Sequence, residues 1–326
     1  MFRLNKRLLI LVVIVGLMSW FIPGCANKEK EEGIVAKVDG EIITQKEFDE
    51  DFELAKKVRQ KQFGEDILSQ DMGDNKVFED VLRENILGSL ILEKILAKEL
   101  DKMDIAVTDE EINDAVKNYY MNELELTDEE QYRQYLEKNG FTEETLKRGL
   151  KRELIYIKHR DNFYNKIDLS EEEIKEYFDK NKDSFVKVRA SHILVRTEEE
   201  GNRVLEKLKN GEDFHSLVAT ESADSNSAIQ GGDLGYFTKE SLLEGYKALG
   251  DAAFNLEIGE TSGLIKTESG YHIILLEDRI DSYEELKEDV VSVLKYSKYM
   301  EKISDMKEKA DVKIYMDKDS KDGKKN

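Results

Sequence analysis

Two of the chain's four histidines stand where an imidazole could do chemistry. His192 lies in "RASHILV" and His272 in "SGYHIIL", each inside an apolar stretch that reads as a strand of one small domain. A buried imidazole needs hydrogen-bond partners, and taken singly such a histidine is more often a satisfied core residue than a catalyst. Its surroundings decide between the two. His215, in "DFHSLV", is expected on the surface of a helix. The single cysteine, Cys25, excludes an internal disulfide, a Cys-x-x-Cys redox pair and a thiolate metal site. The pair Gly231-Gly232 lacks the strand-to-helix context of a phosphate loop and is expected to form a tight turn that positions Asp233 and Leu234.

The elements that must position these residues are written into a chain of 326 residues, long enough for two or three domains. Charged residues make up 37% and apolar ones 40%, and 71 acids against 50 bases leave a formal charge of −21. The chain is therefore globular and strongly acidic, and nucleic acid is a poor partner for it. Arg3, Lys6 and Arg7 precede the apolar run "LLILVVIVGLMSWFI" from Leu8 to Ile22, the layout of an export signal over residues 1–24. That run is shorter than the roughly 20 residues a spanning helix needs. The stretch "IPGC" resembles the lipobox of bacterial lipoproteins. The resemblance implies that Cys25 receives diacylglycerol, becomes the first residue of the mature chain and anchors it to a membrane, with residues 25–33 as a charged tether. The alternative is an ordinary cleaved signal beside a stray cysteine.

Residues 34–185 read as a mostly helical domain opened by a hairpin. "VAKVDGEII" places Asp39-Gly40 between apolar residues. Thr44 with Glu47, Thr108 with Glu111, Thr127 with Glu130 and Ser170 with Glu173 each set a hydroxyl three residues before a carboxylate, the reciprocal cap of a helix start. The stretch "VFEDVLRENILGSLILEKILAKEL" puts Val77, Val81, Leu82, Ile86, Leu90, Ile91, Ile95 and Leu96 on one face and predicts the spine of the domain. Tyr119, Tyr120, Tyr132, Tyr135, Tyr156, Phe163, Tyr164, Tyr177 and Phe178 are expected in the core or half-buried, with a peptide-binding groove as the functional alternative for some. From Lys187 to Arg279 strands and glycine turns predict a compact α+β unit. Beyond it, Ser282 with Glu285 opens a helix, and "ADVKIYM" predicts a strand that returns to pair with the hairpin at Val35 to Ile43.

In order, that unit reads "RASHILV", "GEDFHSLVATES", "GGDLGYF", "AAFNLEIGETSG" and "TESGYHII". The series resembles a parvulin-type peptidyl-prolyl isomerase domain along its whole length, and five ordered motifs are far more specific than any one of them. With the lipobox and the opening "IVAKVDGEIITQKEF", which is similar to the start of the SurA-like chaperone domain, the full chain resembles the PrsA-type foldase lipoproteins. The resemblance implies a multidomain α+β chain. It would comprise a signal at 1–24, a tether at 25–33, a helical chaperone domain at 34–185, a parvulin domain at 186–279, a helix and strand at 280–316 packing on the chaperone domain, and a polar tail at 317–326. It further implies site residues His192, His272, Asp224 and Thr267, and a proline pocket of Leu234, Leu242, Tyr246 and Phe254. His159 and His215 match none of the family's site positions.

Rotation about an X-Pro bond breaks no covalent bond, and its barrier of about 18 to 20 kcal/mol is lost amide resonance. The chemistry therefore requires no cofactor and no metal. An apolar pocket must grip the ring and exclude water, and polar groups must surround the carbonyl as it turns. The partners implied are unfolded or partly folded secreted polypeptides containing proline, and the membrane through Cys25; the sequence leaves monomer and homodimer both open. Phosphorylated substrates are not expected, since "RTEEEGNR" replaces the basic cluster of phosphoserine-directed parvulins. Two other readings compete: a holdase whose parvulin fold only binds peptide, and a solute-binding lipoprotein, which suits the signal but not the "SHILV", "GGDLG" and "GYHII" series. The sole proline, Pro23, leaves with the signal, so the mature chain would avoid slow X-Pro isomerisation in its own folding.

Overall fold

The structure is a computed structural model that describes residues 32–118, 126, 128–242 and 244–316. The expected signal, Cys25, most of the tether, Tyr119, Tyr120, Thr127 and the polar tail lie outside the described residues. The hairpin predicted from "VAKVDGEII" is strands β1 (Ile34–Val38) and β2 (Glu41–Thr44). Both turn residues, Asp39 and Gly40, take positive φ, 51° and 95°. That geometry twists a two-residue turn with its strands, and Asp-Gly is among the few dipeptides that adopt it cheaply.

Thr44 ends the hairpin and caps helix α1 (Gln45–Phe63). Its hydroxyl accepts the Glu47 N–H at 3.1 Å, while the Glu47 carboxylate accepts the Thr44 N–H at 2.9 Å. The predicted spine is α2 (Phe78–Lys102), with Leu82, Ile86, Leu90, Ile91, Ile95 and Leu96 buried. Val77 precedes the helix and is exposed, because its position is the cap, where the Asp80 carboxylate accepts its N–H at 3.0 Å. Thr108 and Glu111 form the expected box at α3 (Asp109–Ala115). At α4 (Glu129–Asn139) the cap is Asp128, one residue beyond the predicted Thr127, and its carboxylate accepts the Gln131 N–H at 2.9 Å. Aspartate caps at least as well as threonine, so local pattern alone did not choose between them. Helix α5 (Glu143–Lys166) follows. Its Arg148 and Arg152 reach buried Asp51 of α1 at 2.8 and 2.5 Å, and Arg152 also meets Glu93 of α2 at 2.8 Å. A buried carboxylate requires such pairing, and here it ties three helices together.

Next come α6 (Glu171–Phe185), β3 (Lys187–Val195), α7 (Glu198–Lys209), α8 (Phe214–Glu221), α9 (Ser225–Ala228), β4 (Asp233–Phe237), α10 (Lys247–Asn255), β5 (Ile265–Thr267) and β6 (Gly270–Ile280). Four of these make an antiparallel sheet in the order β4-β3-β6-β5. Side chains alternate across a strand, and each face has its own core. Ile193, Val195 and Ile273 pack with Val204 of α7 and with Phe214, Leu217 and Val218 of α8. Val188, Ala190, Ile274 and Leu276 pack with Leu249 and Ala253 of α10.

The chain closes with α11 (Tyr283–Lys309) and β7 (Val312–Ile314). As predicted, β7 pairs with β1, Ala36 opposite Ile314 and Val38 opposite Val312. Packing divides the described chain into two compact units, one running up to Lys166 and resuming at Tyr299, the other Ile167–Lys298. That division differs from the expected boundary at residue 185 and from a C-terminal helix packed wholly on the first domain. The reason is apolar: Ile174, Phe178 and Phe185 of α6 bury themselves with Leu286, Val290 and Leu294 of α11. Only from Tyr299 does α11 serve the first unit, adding Tyr299, Ile303 and Met306 to its core.

Tyr299 is fully buried, ringed by Tyr156, Phe163 and Tyr164 at centroid distances of 5.6, 5.5 and 6.0 Å, and its hydroxyl lies 3.0 Å from Nδ1 of buried His159. Tyr299→Phe keeps the packing but leaves His159 Nδ1 without this partner, and should cost about 1 to 2 kcal/mol. Tyr299→Ala should cost about 3 to 5 kcal/mol, as large-to-small aromatic truncations do in cores. Chemical unfolding of the first unit checks both, and equal losses in the two variants would show that the ring's burial counts for nothing beyond its hydroxyl.

Candidate active site

The long β3–β6 ladder sets the site. It pairs His192 with Ile274 and Leu194 with His272, so the two histidines are diagonal neighbours on one face of the sheet. The next pairing repeats the offset: β5 sets Ile265 opposite His272, which makes Thr267 the diagonal neighbour on the far side. Three side chains thus run obliquely across three strands, on the face that packs against α10.

The fourth comes from outside the sheet. After α8 the chain turns along β3, held by the Ala223 N–H to the Leu194 carbonyl at 2.6 Å and the Leu194 N–H to the Ser222 hydroxyl at 3.2 Å. This places Asp224 over His192. Beyond α9 the glycine turn passes so close to β3 that a side chain at Gly232, where φ is +83°, would meet the His192 carbonyl at 2.5 Å. Glycine is required there both by conformation and by space. The turn is the one expected, and no phosphate chemistry is needed to account for it.

The distances form a chain. Asp224 Oδ2 lies 3.0 Å from His192 Nε2, His192 Nδ1 lies 3.1 Å from His272 Nδ1, and His272 Nε2 lies 2.8 Å from Thr267 Oγ1. The imidazoles lie 5.3 Å apart, inclined by 22°. Both are buried, at 3% and 1% exposure. Burial favours the neutral imidazole and lowers both pKa values, in His272 to about 4, with His192 adding to the effect there; Asp224 partly offsets it in His192. Asp224 itself is raised by desolvation but lowered further by hydrogen bonds from Ser227 and His192, so its carboxyl titrates below the ordinary aspartate value.

Neutral rings and an ionised carboxylate allow a single direction of donation. Asp224 can only accept, so His192 carries its proton on Nε2 and offers a bare Nδ1. His272 must then donate from Nδ1 and accept at Nε2, which the Thr267 hydroxyl supplies. Thr267 in turn accepts the Ser269 N–H at 3.1 Å. The tautomers are assigned by this logic from the partners at each nitrogen.

Four sequence-predicted residues, His192, His272, Asp224 and Thr267, are therefore brought together. Of the predicted pocket, Phe254 packs edge-on to Phe237 at 6.2 Å beside the α10 core, and Leu242 lies against Gly250 of α10. Leu234 on β4 and Tyr246 before α10 are exposed at 39% and 43%. Apolar side chains open to water are what a proline ring would cover. His215, expected at the surface, is half-exposed, with Nδ1 3.0 Å from the Gly231 carbonyl. Sequence reasoning missed Ser227, whose Oγ lies 2.9 Å from His192 Nε2 and 2.8 Å from Asp224 Oδ2. Its only signal was its place three residues after Asp224, one helical turn on.

The two depressed histidines make stability depend on pH. Between the ordinary value of 6.5 and about 4 the unfolded chain takes up protons that folded His272 refuses, so stability is level above about pH 7 and falls as pH drops through that window. The depression is worth about 3 kcal/mol. Urea unfolding across that range should show this loss in the wild type and a shallower one in His272→Gln; identical slopes would contradict the assignment.

Several known proteins resemble the chain. A SurA-like N-terminal domain matches residues 1–160 and a PPIC-type PPIASE domain residues 183–278. A "Foldase protein PrsA" of Caldanaerobacter subterraneus subsp. tengcongensis is 32% identical over 297 residues, 90% of this chain and 89% of that protein. Another, of Halalkalibacterium halodurans, is 32% identical over 293 residues, 87% and 77% of the two chains. The crystal structure of PrsA from Bacillus subtilis is 30% identical over 87% of this chain and 94% of its own, with a TM-score of 0.29. At that score the overlay adds no argument, and the relationship rests on the sequence matches.

Proposed function

The chain belongs to the PrsA foldase family and carries a peptidyl-prolyl cis-trans isomerase domain, and from that premise we propose a membrane-anchored extracytoplasmic foldase acting on secreted polypeptides. Its parvulin unit would isomerise X-Pro bonds while the helical unit holds clients unfolded. The observation that carries this reading is the one-directional chain from Thr267 through His272 and His192 to Asp224. It needs no nucleophile and no general acid.

In this reading Leu234, Leu242, Tyr246 and Phe254 grip the proline ring and keep water from the twisting amide. A twisted amide is less polar than a planar one, so a dry apolar site favours it over the ground state. The neutral histidines would present fixed dipoles to the carbonyl as it rotates, with no reorganisation during the step. A thousandfold acceleration asks only about 4 kcal/mol of such an arrangement. Neutral rings also fit the chemistry, because a buried imidazolium would hold the planar, more polar amide. Cys25 would carry the lipid that anchors the chain, and the SurA-like first unit would supply the holding surface.

A His192→Ala, Asp224→Ala double variant should lose at least about tenfold in kcat/KM for protease-coupled isomerisation of a proline peptide, the scale of losing two charge-assisted contacts; wild-type rates would sink the site assignment. Deleting residues 186–279 should abolish isomerase activity. The holdase alternative predicts instead that aggregation suppression survives that deletion while the intact chain never accelerates a proline-limited refolding. Separately, Cys25→Ala should release the chain from the membrane fraction of an expressing cell, and retention of this variant with unchanged mass would argue against acylation at Cys25.

A further inference from the structure

Ser227 touches both His192 and Asp224, and the isomerase reading above assigns it no part. It sits at the third position of α9, whose first turn begins on Asp224. Asp224 Oδ1 accepts the Asn226 N–H at 3.1 Å, which fixes the carboxylate's orientation and leaves Oδ2 turned to Ser227 and His192. A hydroxyl has one proton to give and lone pairs to receive with. Facing an ionised carboxylate, Ser227 gives its proton to Oδ2, and what it presents to His192 is therefore a lone pair. Carboxylate and hydroxyl thus make the same demand, that Nε2 carry the hydrogen.

The opposite arrangement is worse on both counts. If His192 held its proton on Nδ1, Ser227 could donate to the bare Nε2, but Oδ2 at 3.0 Å would then face a nitrogen lone pair. His272 Nδ1 would in addition have to accept, and its Nε2–H would have to donate to Thr267. Among the described residues, burial, Asp224 and the neighbouring ring are what act on the two histidines: His192 comes from β3, His272 from β6, Thr267 from β5, and the Ser222 hydroxyl accepts the Asp224 N–H at 3.4 Å.

We propose that Ser227 is a positioning residue of the isomerase site: its hydroxyl braces the Asp224 carboxylate and shares the His192 Nε2–H, so that the carboxylate stays ionised and aimed at the ring whose direction of donation it sets. Touching no substrate, it acts through His192. The proposal rests on the reading that this chain is the isomerase site, and it extends that reading to a residue whose substitution leaves every predicted site residue in place.

The test uses the full mature chain and three variants, Ser227→Ala, Ser227→Thr and Ser227→Val, the last two nearly isosteric and differing in the hydroxyl. Ser227→Ala should lower kcat/KM about three- to tenfold near neutral pH, the effect of one ordinary hydrogen bond. It should also move the acid limb of the pH profile upward, because a carboxylate that loses a donor protonates more readily. Imidazole nitrogen NMR should show His192 as the Nε2–H tautomer throughout, with the Nε2 signal unmoved in Ser227→Thr and shifted in Ser227→Ala and Ser227→Val, where one of its two acceptors is gone. Should Ser227→Ala not fold, the Thr and Val pair gives the same comparison. An unchanged acid limb and an unmoved Nε2 signal in the variants lacking the hydroxyl overturn the proposal, whatever happens to the rate. The His192→Ala, Asp224→Ala variant separates the two levels: if it is inactive while loss of the Ser227 hydroxyl changes nothing, only the part given to Ser227 is wrong, whereas if it is fully active the site reading itself falls.

Discussion

A neutral imidazole has one donor and one acceptor, and burying two of them side by side forces a choice that each must share with the other. Here one ionised carboxylate makes the choice. Because Asp224 can only accept, His192 must donate to it, His272 must donate to His192, and Thr267 must donate to His272. Much of the second unit can be read as the scaffold for that sequence of contacts. The β3–β6 ladder provides the diagonal offset, β5 repeats it, and the loop from Ser222 is tied to β3 so that Asp224 arrives above the first ring. Gly232 lets the following turn lie against β3, where any side chain would push the strand away.

The same constraint links stability to chemistry. Burial that keeps the rings neutral also makes them costly to protonate, and a site built from neutral dipoles suits a reaction whose transition state is less polar than its reactant. Hydrolytic or phosphoryl-transfer enzymes need charge at the reacting centre, whereas amide rotation asks for dryness and orientation. The sheet face that carries the polar chain also carries the α10 core, with Phe237 and Phe254 beside it. Polar and apolar requirements are met by neighbouring residues on the same strands.

The first unit is organised differently. Its core is a helical assembly closed by a strand from the far end of the chain, β7 against β1, and pinned by Asp51, which gathers two arginines of α5. One helix, α11, contributes to both cores, with Leu286, Val290 and Leu294 in one and Tyr299, Ile303 and Met306 in the other. An acidic chain of this kind disperses its charge over long helices, and two weakly exposed carboxylates of the first unit, Asp51 and Glu93, are both paired with arginine.

Local chemistry is what the sequence by itself determined. The Asp39-Gly40 turn, the caps at Thr44, Thr108 and Ser170 and the spine from Phe78 to Lys102 follow from interactions within a few residues or from period, while the return of "ADVKIYM" was inferred from a helix and strand that follow an inserted domain. The proposed site residues His192, His272, Asp224 and Thr267 were picked out because their motifs occur in a specific order, and the structure brings the four together. Three things needed the tertiary structure. Asp128 rather than Thr127 caps α4, because the two are equivalent by local rules. The packing boundary falls at Lys166 rather than near residue 185, because α6 is amphipathic whichever unit it joins and only its partner, the first half of α11, decides. Ser227 meets His192 and Asp224 because a short helical turn folds it back under Asp224. Its hydroxyl is indistinguishable in sequence from that of any neighbouring serine, and a hydrogen bond between groups 35 residues apart is specified by the fold alone.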